Sequence, residues 1–402
     1  MTRESGTGKY ELLLARCRSL APVPTAVAHP CEETALAGAL EAAAHGLITP
    51  ILVGPAARIQ AAALKAGLDL LRTRIVDVPH SHASAARAVE LVRRGEAELL
   101  MKGSLHSDEL LSAVVAKETG LRTERRISHV FIMDVPTYHN VLIVTDAAIN
   151  IAPGLEEKAD ICQNAIDLAT SLGLDTPKVA ILAGMETVTT KMPATIDAAA
   201  LCKMSERGQI RGGMLDGPLA FDNAISRDAA RIKGILSTVA GDPDILLVPD
   251  LEAGNILAKQ LTFLANADSA GLVLGAKVPV ILTSRADSVR SRIASCAVAA
   301  LVDRPFAFDN AISKEAAEIK GIRSEVAGDP DILLVPDLEA GNMVAKLLTF
   351  LAKADSAGLV LGARVPIILT SRADSVRSRI ASCAVAKLAA HARRKAAEAV
   401  VA

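Results

Sequence analysis

Tryptophan is absent from this 402-residue chain, which carries only two Tyr and six Phe. So few rings cannot build the base-stacking platforms of single-strand nucleic-acid binders, and the core has to come from Ala, Leu, Ile and Val. An excess of either charge is also missing: 44 Lys+Arg stand against 45 Asp+Glu, a formal net charge of −1. Without a positive field the chain has no general attraction for nucleic acid or anionic lipid. No run approaches the roughly 18 apolar residues of a membrane span, and MTRESGTGKYELLLARCRSL lacks an apolar stretch of signal-peptide length. The expectation is a cytoplasmic protein with no nucleic-acid or membrane partner. The cysteines, at 17, 31, 162, 202, 296 and 383, show no CxxC spacing, so free thiols are expected and neither metal sites nor disulfides.

Hydrophobic residues make up 51% of the chain and charged residues 22%, which is enough apolar material for a large core. The length suggests two to three domains. Sliding the sequence by 87 residues aligns Asp216–Val302 with Asp303–Ala389 without a gap, and 72 of the 87 positions are identical. The unit is longer than a solenoid repeat and occurs only twice, so it is a segmental duplication. Removing one copy leaves 402 − 87 = 315 residues, a normal length for a two-domain enzyme. Differences such as Leu236/Arg323, Arg231/Glu318 and Asn266/Lys353 are polar or charge-altering changes suited to exposed helix positions. Natural duplication and deliberate engineering would each give this pattern, with engineering the preferred expectation.

Short apolar runs at 24–29, 48–54, 97–103, 140–146, 178–184, 244–250, 270–276 and 279–284 alternate with Ala-rich helical stretches. Continuous apolar strands joined through helices predict a mostly parallel sheet covered on both faces. Ligands of such sheets sit at the C-terminal strand ends, where Lys102-Gly103, Asp146, Asp250 and Ser284-Arg285 fall.

Several motifs fail. SGTGKYE lacks the Ser/Thr and the earlier Gly of a P-loop, and no GxGxxG follows a strand. His80 and His82 have no third ligand at metal spacing, and no GxSxG supports a serine hydrolase. What remains are anion-suited strand ends. In ILTSRADSVRSRIAS an apolar strand runs into Ser284-Arg285, with Asp287 or Ser288 as the N-cap of a following helix. Helix N-termini and a planar guanidinium both suit phosphate oxygens. MKGSLHSDELL puts Lys102 and Gly103 in the same kind of place, and RTERRISHVF gathers Arg122, Arg125 and Arg126 before an apolar run. Together they point to a phosphate-bearing ligand.

MKGSLHS, RRISHVF, VTDAAINIAPGLEEKADICQNA, ETVTTKMPATIDAAALCKM, GQIRGGMLDGPLAFDNAIS, PDLEAGN and LTSRADS resemble the phosphate acetyl/butyryltransferase family, most closely the transferase half of bifunctional enoyl-CoA hydratase/phosphate acetyltransferases. The resemblance runs from about residue 10 onward, with one repeat copy surplus and no segment like the hydratase module. It implies an α/β, two-lobed isopropylmalate-dehydrogenase-like fold with an additional duplicated α/β segment. It also implies a homodimer and the reaction acyl-CoA + phosphate ⇌ CoA + acyl phosphate, with coenzyme A as substrate and neither metal nor bound cofactor. One lobe is expected over 1–140, completed by a late strand and helix at about 277–302 or 364–402. The other is expected over 141–276, with 303–389 the duplicate.

Under that resemblance the catalytic set is Ser284, Arg285 and Asp287, or the duplicates Ser371, Arg372 and Asp374. Ser284 would donate to the oxyanion, while Arg285 with Arg126 or Lys102 would hold phosphate. The substrate-binding set is Lys102, Gly103, Arg126, Ser128, Asp146, Asn150, Asp222 and Asn255. Lys102 and Arg126 are expected on one side of the cleft, and the last four on the other. Acetyl-transferring relatives carry a carboxylate base where this chain has Ser291 or Ser378, so Asp287 is either the base or only a helix cap. A non-catalytic scaffold is the alternative function. The first copy is expected to complete the fold, with 303–402 docked as a layer that extends a sheet.

Overall fold

The apolar runs become strands. The computed structural model describes residues 9–70, 73–283 and 287–302, and in the C-terminal part 357, 359–360, 367–368, 379–388 and 390. Its strands are β1 (Val23–Ala28), β2 (Ile48–Gly54), β3 (Arg74–Asp77), β4 (Leu99–Lys102), β5 (Ser128–Asp134), β6 (Leu142–Thr145), β7 (Lys178–Leu182), β8 (Met214–Leu219), β9 (Ile245–Leu247), β10 (Asp268–Leu274), β11 (Val280–Ile281), β12 (Leu359–Val360) and β13 (Ile367–Ile368). The helices are α1 (Lys9–Cys17), α2 (Glu33–Ala44), α3 (Ala56–Ala66), α4 (Ser81–Arg93), α5 (Ser107–Val114), α6 (Leu155–Ser171), α7 (Pro193–Glu206), α8 (Phe221–Ile225), α9 (Arg227–Ile232), α10 (Leu251–Phe263) and α11 (Val289–Leu301).

Eleven strands form one sheet in the order β3-β2-β1-β4-β11-β10-β5-β6-β9-β7-β8. The pairing is parallel within β3-β2-β1-β4-β11 and within β6-β9-β7-β8. At the centre β10 runs antiparallel to both β11 and β5, and β5 antiparallel to β6. The sheet is therefore mostly parallel, as expected, with an antiparallel seam. Strand alternation explains how it is covered. On one face a single core takes in Val27, Leu99, Met101, Leu272, Val130, Ile143 and Val179, and α2, α6 and α11 lie over it. On the other face the core is split. Leu100, Val280 and Val273 belong to one cluster with α4 and α5, while Met133, Val144, Leu246 and Ala180 belong to another with α8 and α9. The break falls at the seam, where Gly271 and His129 separate the two clusters.

The chain divides into two units, Met1–Gly328 and Asp329–Ala402. Strands β9, β10 and β11 of the first repeat copy sit inside the large sheet. In the second unit β12 pairs with β13 through Leu359↔Ile368 and Val360↔Ile367. These pairs lie 87 residues after Leu272↔Ile281 and Val273↔Val280, so the copy repeats the register of β10 and β11. Among the described residues β12 and β13 pair only with each other.

Candidate functional site

The strand-end residues fall into distinct clusters. Lys102 ends β4, is 3% exposed, and donates from Nζ to the carbonyl oxygen of Thr283 at 3.5 Å. Gly103 follows because the chain passes tightly against β1: a Cβ there would lie 2.4 Å from the Ala28 carbonyl oxygen. Thr283, itself buried, accepts at Oγ1 from Nη1 of Arg292 at 2.7 Å. Sequence reasoning passed over Arg292, and its only signal was an arginine in an otherwise apolar helix face. Ser288, not Asp287, caps α11, accepting from the backbone N–H of Ser291 at 3.1 Å. Asp287 lies in the electrostatic reach of Arg292; burial holds that guanidinium below its ordinary value, and Asp287 opposes the shift. Ser284 and Arg285 lie outside the described residues, as do Ser371, Arg372, Asp374 and Ser378.

A second cluster gathers at the start of β5. Arg126 donates from Nε to Oδ1 of Asn150 at 2.7 Å and pairs with Glu157 at 2.9 Å. Asn150 donates to Oδ2 of Asp146 at 2.6 Å and to the Ile127 carbonyl. Asp146, buried, also accepts from the backbone N–H groups of Ala148 and Ile149, and Asn255 donates to the Ala147 carbonyl. Ser128 accepts from Asn164, which also holds the Arg126 carbonyl. These side chains largely satisfy one another. Asp222 stands apart from both clusters, exposed on α8 and paired with Lys233, whose partnership lowers its carboxyl below the usual range.

The two clusters correct one grouping made from sequence. Because β5 runs antiparallel to β10, Arg126 lies beside the Gly275–Ala276 turn, whereas Thr283 leaves β11 at the other end of that hairpin. Lys102 and Arg126 therefore do not share one side of a cleft, and Arg126 instead meets Asn150, expected opposite it. Four strand gaps separate Lys102 on β4 from Asp146 after β6, roughly 19 Å at the usual spacing. One phosphate cannot touch both clusters.

His129 sits between them on the seam, 1% exposed, its ring edge-on to Phe131 at 4.5 Å and its Nδ1 without a hydrogen-bond partner. His80 turns out to be a helix cap, accepting from Ala83 N–H, and His82 faces Glu109. Among the described residues no group of three or more His, Cys, Asp or Glu could hold a metal ion, and no helix is long and apolar enough to cross a membrane. The six cysteines are free. Burial pushes the Cys162 and Cys296 thiols up to about 12, so neither is poised as a nucleophile.

The Phosphate acetyl/butaryl transferase family matches residues 79–300 and again 297–387. The chain belongs to the phosphate acetyl/butyryltransferase family. A phosphate acetyltransferase of Rhizobium meliloti is 68% identical over 293 residues, covering 73% of this chain and 93% of that one. A phosphate butyryltransferase of Clostridium acetobutylicum is 41% identical over 293 residues, covering 73% and 97%. Among solved structures, a branched-chain phosphotransacylase from Enterococcus faecalis superposes with a TM-score of 0.62 at 30% identity, covering 70% of this chain and all of that one. The family membership and the mixed α/β fold agree with the resemblance seen in the motifs, and the scaffold alternative is not favoured.

Proposed function

We propose that the chain is a phosphate acyltransferase interconverting acyl-CoA plus phosphate with CoA plus acyl phosphate. The observation that carries this reading is Lys102, buried at the end of β4 and bonded to Thr283 immediately before Ser284-Arg285. A buried ammonium at a strand end, with an arginine two residues after Thr283 in the sequence, suits a phosphate or acyl phosphate group. In the synthetic direction phosphate attacks the thioester carbon, Ser284 donates to the developing oxyanion, and CoA leaves as thiolate. In reverse the CoA thiol, with a pKa of about 8.5, needs a base, and Asp287 is the nearest carboxylate in sequence. Holding both reactants in one cleft replaces a bimolecular encounter by a positioned one.

In this reading residues 1–140 with 277–302 form one lobe and 141–276 the other, and the Arg126, Asn150 and Asp146 cluster serves the extended CoA moiety and not the transferred phosphate. The enzyme acts as a cytoplasmic homodimer. Acetyl is the preferred acyl group, supported by 68% identity to an acetyltransferase against 41% to a butyryltransferase. The test is thioester absorbance with CoA and acetyl phosphate, then with butyryl phosphate. Thioester should form only when both substrates are present. Absence of CoA binding by calorimetry overturns the reading.

A further inference from the structure

We propose that the cavity beneath α1 binds a short-chain alkylammonium ion. The cavity holds about 70 Å³ and is walled by Leu13 of α1, Ile132 and Ile143 of the sheet, Leu172 just after α6, and Ala294 and Val298 of α11. It is a gap in the core on the sheet face that α2, α6 and α11 cover. Ala270 and Ala294 face it, and side chains this small leave the space open. Its polar mouth is at the C-terminal end of β5, whereas Arg126 precedes the start of that strand, roughly 25 Å away along extended chain. The site is therefore separate from the cluster of Arg126, Asn150 and Asp146.

Volume sets the length of the ligand. An engineered apolar cavity of about 150 Å³ takes benzene, so a space of about half that size suits about three or four carbon atoms. The mouth sets the head group. Charged lining is confined to Lys9, Asp134 and Asp268. Asp134 and Asp268 are direct partners across β5 and β10, a position where like charges repel. Lys9 meets Oδ1 of Asp134 at 2.8 Å, and Nε of Arg290 donates to Oδ2 of Asp268 at 2.9 Å, which leaves the other oxygen of each carboxylate as an acceptor. The three protons of Lys9 already face Asp134 and the carbonyl oxygens of Tyr138 and Asn140, so it has no donor left for an anion. Around Tyr10 the charges are Arg290 against Glu11, Glu41 and Asp268. A positively charged donor fits such a mouth, and a carboxylate does not.

The experiment uses the full chain and titrates it with propylammonium chloride, propanol and sodium propionate at constant ionic strength, reading binding by calorimetry and saturation-transfer NMR. So small a ligand is limited to a Kd on the order of 1–10 mM. Propylammonium should bind at least about tenfold more tightly than propionate and about threefold more tightly than propanol. Ala294→Leu fills the cavity and should abolish binding of both propylammonium and propanol. Leu13→Phe fills it from the half-buried α1 side and decides the matter if Ala294→Leu does not fold. Asp268→Asn should weaken propylammonium to the level of propanol and leave propanol unchanged. Absence of binding to the wild-type chain, or binding that persists in the filled variants, overturns the proposal. Propanol or propionate binding as tightly as propylammonium also overturns it, because the space would then be an apolar void that recognises no head group. The readout is binding and not turnover, so the outcome is independent of the acyltransferase reading.

Discussion

Gly217 on β8 stands directly against Ile181 on β7: a Cβ at Gly217 would lie 2.7 Å from the Ile181 carbonyl oxygen and 2.8 Å from its Cβ. The obstacle is backbone in a paired strand, which cannot rotate aside. The second copy has Arg304 where the first has Gly217, and Phe306 where the first has the buried Leu219. The two copies, nearly identical elsewhere, are therefore not equivalent candidates for this place in the sheet. Gly217→Ala should lower unfolding free energy by about 1–3 kcal/mol in urea titrations, and Gly217→Arg by more. A chain lacking 303–389 should fold, and one lacking 216–302 should fold poorly until Arg304→Gly is added. Equal stability of the two deletion chains would refute the steric argument.

Much of this fold was legible and some of it could not be. Runs such as ITPILVG and KVAILAG are strands because residues buried on both faces must be apolar throughout. β8 was missed because Asp216, Gly217 and Pro218 interrupt its apolar run, and the edge strand β3 because Arg74 and Asp77 give it polar ends. The antiparallel seam was also hidden, since sequence proximity says nothing about strand direction, and that direction sends Arg126 away from Thr283. Lys102 was legible as a strand-end cation. Arg292 was not, because its burial depends on Gly38, far upstream, and the exposed Arg379 shares its local sequence.

Lys9 anchors the first helix. Its ammonium, 4% exposed, donates to the carbonyls of Tyr138 and Asn140 at 3.0 Å and pairs with Asp134 at 2.8 Å. Beside it Arg290 covers the Tyr10 ring at 3.7 Å. Lys9→Met keeps the bulk and removes three donors, leaving half-buried acceptors unpaired. Thermal unfolding should report a loss of about 2–4 kcal/mol, with both KM values unchanged. A midpoint equal to wild type would show α1 to be held by its apolar contacts alone.

His129 gives stability a pH dependence. Burial pushes its imidazole below the usual His range, with Asp146 opposing. The folded chain therefore keeps it neutral, whereas the unfolded chain takes up a proton below about pH 6.5. For a depressed folded pKa the contribution is complete above the unfolded value and is lost as pH falls through that value towards the folded one. Relative to His129→Leu, wild type should lose stability between pH 7 and pH 5, at a slope of at most about 1.4 kcal/mol per pH unit. Parallel urea midpoints for the two chains across that range would contradict it.

Arg285 and Arg372 sit in the same sequence, ILTSRADSVRSRIASCAVA, so their roles differ only through what surrounds them. The groups that hold the first segment occur once in the chain: Lys102 at the Thr283 carbonyl, Gly38 beneath Arg292, and β4 and β5 on either side of β10–β11. Among the described residues the second segment repeats the hairpin register in β12 and β13, which pair only with each other. Ile293 is 4% exposed in α11, whereas its counterpart Ile380 is 65% exposed. A guanidinium binds phosphate productively only where the accompanying donors are fixed beside it. Arg285→Ala should therefore reduce kcat/KM by about a hundredfold or more, and Arg372→Ala should leave it within about twofold. Loop-closure entropy alone would not impose this asymmetry, since it rises only logarithmically with the length of chain between the paired strands. The discrimination has to come from contacts such as those at Gly217 and Arg292. Comparable partial losses in both variants would mean that the two copies exchange places in the sheet, and a loss confined to Arg372→Ala would move the catalytic strand end to the second copy.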